Sequence, residues 1–218
     1  MTRWRVSMGL AYAFLCGTVA VAQESYDPAR FKSGTIPGQP PLASTGALVV
    51  VELEIAPSGI VTDSVVIDDG PPYTAAITKA ARTWRFRPAR EDGAAVFGKA
   101  LVVGVFRPPV LMGGELPKPT HVQEISEDLP YPTATTTPVY PPTALYEGIA
   151  FVEVEIDEGG WVREAVLHTT EEAYDALALE AVEKFRFRAA RRNGIAVTSY
   201  ALVFFGFRQP HTARQPRR

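Results

Sequence analysis

The stretch Val51-Glu52-Leu53-Glu54-Ile55 decides the fold, because it returns 101 residues later as Val152-Glu153-Val154-Glu155-Ile156. A second stretch, Trp84-Arg85-Phe86-Arg87-Pro88-Ala89-Arg90, returns at the same offset as Phe185-Arg186-Phe187-Arg188-Ala189-Ala190-Arg191. Residues 49–107 align with residues 150–208 without a gap, and about 23 of the 59 aligned positions are identical. Such self-similarity indicates two copies of one small module. It argues against an enzyme whose single active site is spread over the whole chain.

Each quoted pentapeptide alternates apolar and acidic residues, which is typical of a strand with one buried face. We expect the apolar residues to face the core and the acidic ones to face water; the latter are Glu52, Glu54, Glu153 and Glu155. A solvated strand face is favoured for them over a paired acid/base site. Turns at Gly59 and Gly160 and second strands at Ile60–Ile67 and Trp161–His168 complete a hairpin in each copy.

Helical spacing follows each hairpin. The expected buried faces are Tyr73, Ile77, Ala80, Ala81 and Trp84, and then Tyr174, Ala178, Ala181, Val182 and Phe185. Asp92-Gly93 and Asn193-Gly194 predict hairpin turns, and Ala95–Phe106 and Ala196–Phe207 predict closing strands. The predicted fold class is α+β, with two tandem modules, each an antiparallel sheet with one helix packed on one face.

The N-terminus has the pattern of an export signal. Arg3 and Arg5 precede an uncharged, largely apolar run that closes with Ala20-Val21-Ala22, a cleavage pattern before Gln23. The alternative is an uncleaved membrane anchor, for which this run is slightly short. Cleavage removes Cys16, the single cysteine of the sequence, so we expect an exported chain that has no disulfide.

Composition adds few candidates for chemistry. The net charge of −2 gives no sign of nucleic-acid binding. His121, His168 and His211 lack the spacing of metal ligands, so no metal, cofactor or catalytic residue is predicted. The predicted organisation is a signal peptide at 1–22, a loose leader at 23–45, a first module at 46–107, a Pro-rich linker at 108–138, a second module at 139–208 and a basic tail at 209–218.

Both copies resemble the C-terminal domain of TonB-type energy transducers. In the second copy the resemblance is carried by Tyr140-Pro141 with Ala144 and Gly148, by Val152–Ile156 with Gly160 and Val162, by Ala181, Phe185, Phe187, Ala190 and Arg191, and by Val197–Phe207. The first copy has Gln39-Pro40-Pro41-Leu42 where the Tyr-Pro pair is expected, but it keeps Trp84, Phe86, Pro88 and Ala89. The aromatic residues at these helix ends, Trp84, Phe86, Phe185 and Phe187, are expected to be core.

The resemblance implies a non-enzymatic periplasmic domain that binds an envelope protein, such as a segment of an outer-membrane receptor, by β-strand addition. This mode works because an edge strand offers unpaired N–H and C=O groups. The expected edge is the last strand, Tyr200–Phe207, or Ala100–Phe106 in the first copy. The residues expected to contact the partner are Tyr140, Pro141, Tyr200, Leu202, Phe204 and Phe207.

Two alternatives stay open at the level of sequence. One is a TonB-like energy transducer for outer-membrane transport that is anchored in the membrane through residues 6–22. The chain departs from this class because its apolar segment ends in a cleavage pattern and only about twenty-five residues separate it from the first module. The other is a cell-wall-binding protein or envelope enzyme that uses arginine-rich strands, with Arg186, Arg188 and Arg191 as the test residues.

Overall fold

The computed structural model describes residues 25–41, 43, 45–108, 116, 120–138, 147–169 and 172–208. The predicted signal peptide and basic tail, and the residues Tyr140 and Pro141, lie outside this range. The strands are β1 (Tyr26–Asp27), β2 (Arg30–Ser33), β3 (Ala47–Ile55), β4 (Val61–Asp69), β5 (Arg85–Arg87), β6 (Arg90–Glu91), β7 (Ala94–Ala95), β8 (Gly98–Phe106), β9 (Thr120–His121), β10 (Tyr131–Ala134), β11 (Gly148–Ile156), β12 (Val162–Leu167), β13 (Arg186–Arg188), β14 (Ala190–Arg192), β15 (Ile195–Val197) and β16 (Ser199–Phe207). The helices are α1 (Tyr73–Ala81) and α2 (Glu172–Glu183). Neither helix is long and apolar enough to cross a membrane.

The two copies share one seven-stranded sheet in the order β12-β11-β16-β8-β3-β4-β9. Its neighbours pair antiparallel except β8 and β16, which pair parallel and form what we call the seam. The α+β class is therefore confirmed, but the expectation of two separate antiparallel sheets is wrong. The last strand of each copy lies in the middle of the sheet because each satisfies the free backbone groups of the other.

The register of the seam shows how the copies are related. Leu101 lies opposite Ala201, although its equivalent in the repeat is Leu202. The two copies are related by an approximate two-fold rotation about an axis along the strands. This rotation keeps β8 and β16 parallel but exchanges the two faces of the sheet, so Leu101 and Leu202 face opposite sides. Neighbours across a sheet face the same side, so the register must shift by an odd number of residues. The observed shift is one residue.

Because the sheet is turned over between the copies, α1 covers one face and α2 the other. Each hydrophobic core therefore contains residues from both copies. Beside Tyr73, Ile77 and Trp84, the first core holds Phe151 and Phe204 of the second copy, with ring centroids of Trp84 and Phe204 5.5 Å apart. The second core holds Tyr174, Val182 and Phe185 together with Val50, Leu101, Val103 and Val105 of the first copy.

The predicted helix faces and turns are confirmed. The ten side chains predicted for the two helix faces are buried, and so are Phe86 and Phe187. Asp92 and Asn193 have φ of 50° and 51°, and Gly93 and Gly194 have φ of 82° and 77°, as two-residue hairpin turns of this type require. The local signals of the sequence are therefore sufficient for these elements.

The described parts of the leader and the linker contribute strands to the fold. Strand β2 pairs with β5, with Phe31 opposite Phe86, and β10 pairs with β13, with Pro132 opposite Phe187. The expectation that 23–45 is a loose leader and 108–138 only a connector is therefore wrong, because both supply a strand that covers an aromatic side chain. The repeat begins near residue 25 rather than 46, and the pairs Ser25/Ser126, Asp27/Asp128 and Pro37/Pro138 carry this signal in the sequence.

Candidate functional site

The structure places the described partner-contact candidates on β16, in the middle of the sheet. Leu202, Phe204 and Phe207 are buried, and β16 is hydrogen-bonded to β11 on one side and β8 on the other. The prediction that Tyr200–Phe207 or Ala100–Phe106 forms a free edge is wrong. Neither strand can accept an added segment while the seam is intact.

Tyr200 takes part in contacts between the copies. The guanidinium of Arg30 lies 3.6 Å from its ring centroid, and its hydroxyl donates to Glu155 Oε2 at 3.1 Å. Burial is the main cause that raises the pKa of Tyr200, against the lowering effect of the Arg30 charge. Its polar end is therefore already engaged within the chain.

Glu153 is the most fully bound carboxylate at this junction. Arg30 donates to it twice, from Nε to Oε1 at 2.9 Å and from Nη2 to Oε2 at 3.2 Å, and the Phe31 amide donates to Oε1 at 3.2 Å. Only 4% of the Glu153 surface is exposed. Burial alone would raise the pKa of Glu153, but hydrogen bonds from His168 and Arg30, with the Arg30 charge, lower it to about 2. A general acid or base needs a pKa near the working pH, so this geometry favours a structural role.

Glu52, the equivalent of Glu153 in the first copy, is buried on the opposite face of the sheet. Lys99 Nζ lies 2.8 Å from its Oε1, and the Ser126 hydroxyl donates to its Oε2 at 2.9 Å. The prediction that these two glutamates face water is wrong, because the other copy covers the face to which each belongs. Glu54 is exposed as predicted, and Glu155 is partly buried.

A third polar cluster joins Asp68 to the linker. The Tyr131 hydroxyl donates to Asp68 Oδ2 at 2.7 Å, and His121 Nδ1 lies 3.0 Å from Oδ1. Burial, with the hydrogen bond to Asp68 and its charge, raises the pKa of Tyr131 to about 12. An open groove of about 360 Å³ adjoins the cluster, lined by His121, Glu124, Ile125, Tyr131 and Arg188. The lining residues do not include a Ser, Thr or Cys side chain of the kind that a neighbouring histidine base activates.

The two ends of the seven-stranded sheet differ. At one end β9 pairs with Asp68 and Asp69 of β4, and the Val122 amide donates to Ile67 O at 2.8 Å. At the other end β12 is the outermost strand: Arg186 of β13 bridges to Trp161 just before β12 begins, and beyond that bridge no strand in the described part of the chain pairs with its outer side. The backbone of β12 therefore offers unpaired groups to a further strand.

The orientation of these groups follows from one hydrogen bond. The His168 amide donates inward to Phe151 O at 2.8 Å. Backbone groups alternate between the two sides of an antiparallel strand, so the N–H and C=O of Leu167 and of Ala165 face outward. Next to them Val166 is 40% exposed, and Trp161, 52% exposed, stacks under the Arg186 guanidinium 3.5 Å from its ring centroid.

The sequence alone did not single out β12 as the edge. The available signal is the charged pair Arg163-Glu164, since charged side chains are typical of strands at a sheet edge. The arginines of the β13 strand are engaged within the fold: Arg186 stacks on Trp161, and Arg188 Nη2 donates to Ser126 O at 3.3 Å. Among the described residues, no group of three His, Asp or Glu side chains is placed to hold a metal ion.

No protein-family model matches the chain, and no curated protein matches it either.

Proposed function

We propose that this protein is a non-enzymatic periplasmic binding module of the TonB C-terminal type, built from two tandem copies. It binds an extended segment of an envelope protein, such as an outer-membrane receptor, by adding that segment as a strand. This activity serves envelope transport. The binding site lies on the outer edge of β12, not on the last strand.

The observation that carries this proposal is the unpaired outer side of β12 beyond the Trp161–Arg186 bridge, over residues 163–167. The outward N–H and C=O groups of Ala165 and Leu167 offer backbone donors and acceptors, and an extended peptide satisfies them. The fold itself uses this mode at its other end, where β9 adds to β4.

Trp161 and Val166 supply apolar contact area at the two ends of this edge. Tryptophan and arginine are enriched among the residues that dominate binding energy at protein interfaces. The Trp161–Arg186 stack therefore supports the β12 edge as the preferred site. The equivalent of Trp161 in the first copy is Ile60, a smaller apolar side chain.

The test is a crosslinking pull-down from envelope extracts with the full chain and its variant Ala165→Pro. Proline removes the outward N–H of residue 165, and edge strands tolerate this change. We expect the variant to fold and to lose the partner, while Ala165→Ser, which keeps the N–H, retains it. Hydrogen exchange on the recovered complex should show protection of the Ala165 and Leu167 amides. Equal recovery by both variants, or no specific protein with the parent, would refute strand addition at β12.

Sequencing of the mature N-terminus separates this proposal from the anchored transducer. We expect a chain that begins at Gln23. A retained N-terminus would instead support a membrane anchor through residues 6–22.

A further inference from the structure

We infer that the chain holds a second strand-addition site, on the outer edge of β4 between Val61 and Val66, so that one molecule binds two extended segments. The inference rests on the proposed function, because it assigns to the first copy the activity proposed for β12. The segment at each site belongs to an envelope protein and runs in extended conformation along the edge.

The first argument is the equivalence of the two edges. Val61–Val66 maps onto Val162–Leu167 at the repeat offset. The hairpins have the same register, since Val51 lies opposite Val66 as Val152 lies opposite Leu167, and both shift register at the same place near the turn. The two edges therefore present their backbone groups in the same pattern.

The second argument is that β9 covers only one end of the β4 edge. It pairs with Asp68 and Asp69, and its last contact is the bond from Val122 N to Ile67 O. At the other end Arg85 of β5 bridges to Ile60 just before β4 begins, and from Thr62 to Val66 no described strand lies on the outer side of β4. The segment seated beside this stretch shows that the edge accepts an extended, antiparallel chain.

The third argument is geometric. Four antiparallel pairings and one parallel pairing separate β4 from β12, so these two strands run in the same direction. Two added strands would lie roughly 30–35 Å apart, which is seven strand spacings. Sheet twist of about 20–25° per pairing turns the two edges by roughly 100° relative to each other. The two sites are therefore far enough apart for one molecule to hold two segments at once.

The β4 and β12 edges differ in charge, so we expect the two sites to prefer segments of different charge. Asp63 is exposed on β4 beside Thr62, whereas its equivalent Glu164 is exposed beside Arg163. The residues on either side of Asp63 in the strand, Thr62 and Ser64, are uncharged, so the β4 edge favours a segment that carries a Lys or Arg at that position. Exposed ion pairs are weak, so this preference is small.

The test uses the full chain with a photo-crosslinking amino acid, benzoyl-phenylalanine, in place of Asp63, of Glu164 or of both. After irradiation in envelope preparations, we expect each single replacement to give one adduct with the same partner, identified by mass spectrometry. The double replacement should give a further species with two partner molecules. Ser64→Pro should abolish the adduct at position 63 and leave that at 164, and Ala165→Pro should do the reverse.

The outcomes separate this inference from the proposed function. Adducts at 164 alone overturn the second site and leave the β12 site standing. Adducts at neither position, or at 63 alone, overturn the β12 site and with it the two-site molecule. A double replacement that never carries two partners, or a position-63 adduct that survives Ser64→Pro, also overturns the second site. The number of partner molecules crosslinked to the double replacement is measured without a proline variant. It therefore tests the second site even if Ser64→Pro fails to fold.

Discussion

Glu153 shows how one side chain couples the two copies. Its carboxylate belongs to the second copy and accepts hydrogen bonds from Arg30 and Phe31, which lie near the start of the first. Removing one partner of a buried ion pair is costly because the other charge stays without compensation. The stability lost on breaking this ion pair therefore measures how much the contact between Arg30 and Glu153 contributes to folding.

We predict that Glu153→Gln lowers the free energy of unfolding by about 2–3 kcal/mol, a value below that of fully buried pairs because Arg30 is partly exposed. Urea unfolding at pH 7 measures it. The control is Glu155→Gln, whose carboxylate is less buried and is expected to change stability by under about 1 kcal/mol. Equal effects of the two variants would contradict the assignment.

The acid dependence of stability follows from the same residue. The pKa of Glu153 falls from an ordinary value of 4.5 to about 2 in the folded chain, so the folded state favours the ionised form. Its contribution of about 3 kcal/mol is present above pH 4.5 and is lost as the pH falls toward 2. We expect the stability difference between the parent and Glu153→Gln to shrink across this window. A difference that stays constant from pH 5 to pH 2.5 would argue against it.

At the scale of elements, two glycines with left-handed backbone are predicted to differ in their tolerance of a side chain. Gly160 and Gly194 have φ of 81° and 77°. A Cβ at Gly160 would overlap the Phe187 carbonyl oxygen, whereas one at Gly194 would meet open space. We expect Gly194→Ala to lower the free energy of unfolding by about 1–2 kcal/mol, because alanine disfavours the left-handed backbone. Gly160→Ala should lower it by at least about 2 kcal/mol more, because its Cβ also overlaps the Phe187 carbonyl oxygen. Thermal unfolding compares them, and equal shifts in Tm would count against a close approach at Gly160.

Local patterns predicted the elements well. Alternation located β3 and β11, helical spacing located the buried faces of α1 and α2, and Asp92-Gly93 located a hairpin turn. These signals succeed because each depends on residues close together in the chain. The edge assignment failed because it depends on which strand of one copy meets which strand of the other.

The burial of Glu52 and Glu153 was missed for the same reason. Alternation shows that a strand has two different faces, but it does not show what covers the second face. Here each glutamate faces the side that the other copy covers, and a cation compensates it there. The candidate edge at β12 likewise became visible only once the order of the sheet was known.

At the scale of the whole molecule, shared cores predict that both copies unfold together. Phe204 lies in β16 of the second copy but packs against Trp84 of the first. We expect Phe204→Ala to lower the free energy of unfolding by about 3–5 kcal/mol. Hydrogen exchange in denaturant should show β3 and β11 losing protection at the same concentration. Phe97→Ala, at a side chain 62% exposed, is the control and should have little effect.

Two separate unfolding steps would contradict this prediction. They would mean that each copy keeps its own core when the other is open. Because residues of both copies line both cores, the structure gives no division along which such an intermediate could form.

The one-residue shift at the seam bears on whether a single copy of the repeat could form the same sheet as a homodimer. Two identical chains related by a strict two-fold axis would place Leu101 beside its own counterpart, with the two side chains on opposite faces. In a closed two-fold dimer, each residue on the axis must lie opposite its own counterpart. A homodimer of either half therefore cannot adopt the one-residue shift seen at the seam. Covalent fusion lifts the requirement and lets the halves diverge at equivalent positions, as Val103 and Phe204 do. Deleting one half and supplying a second copy of the other therefore would not rebuild the molecule.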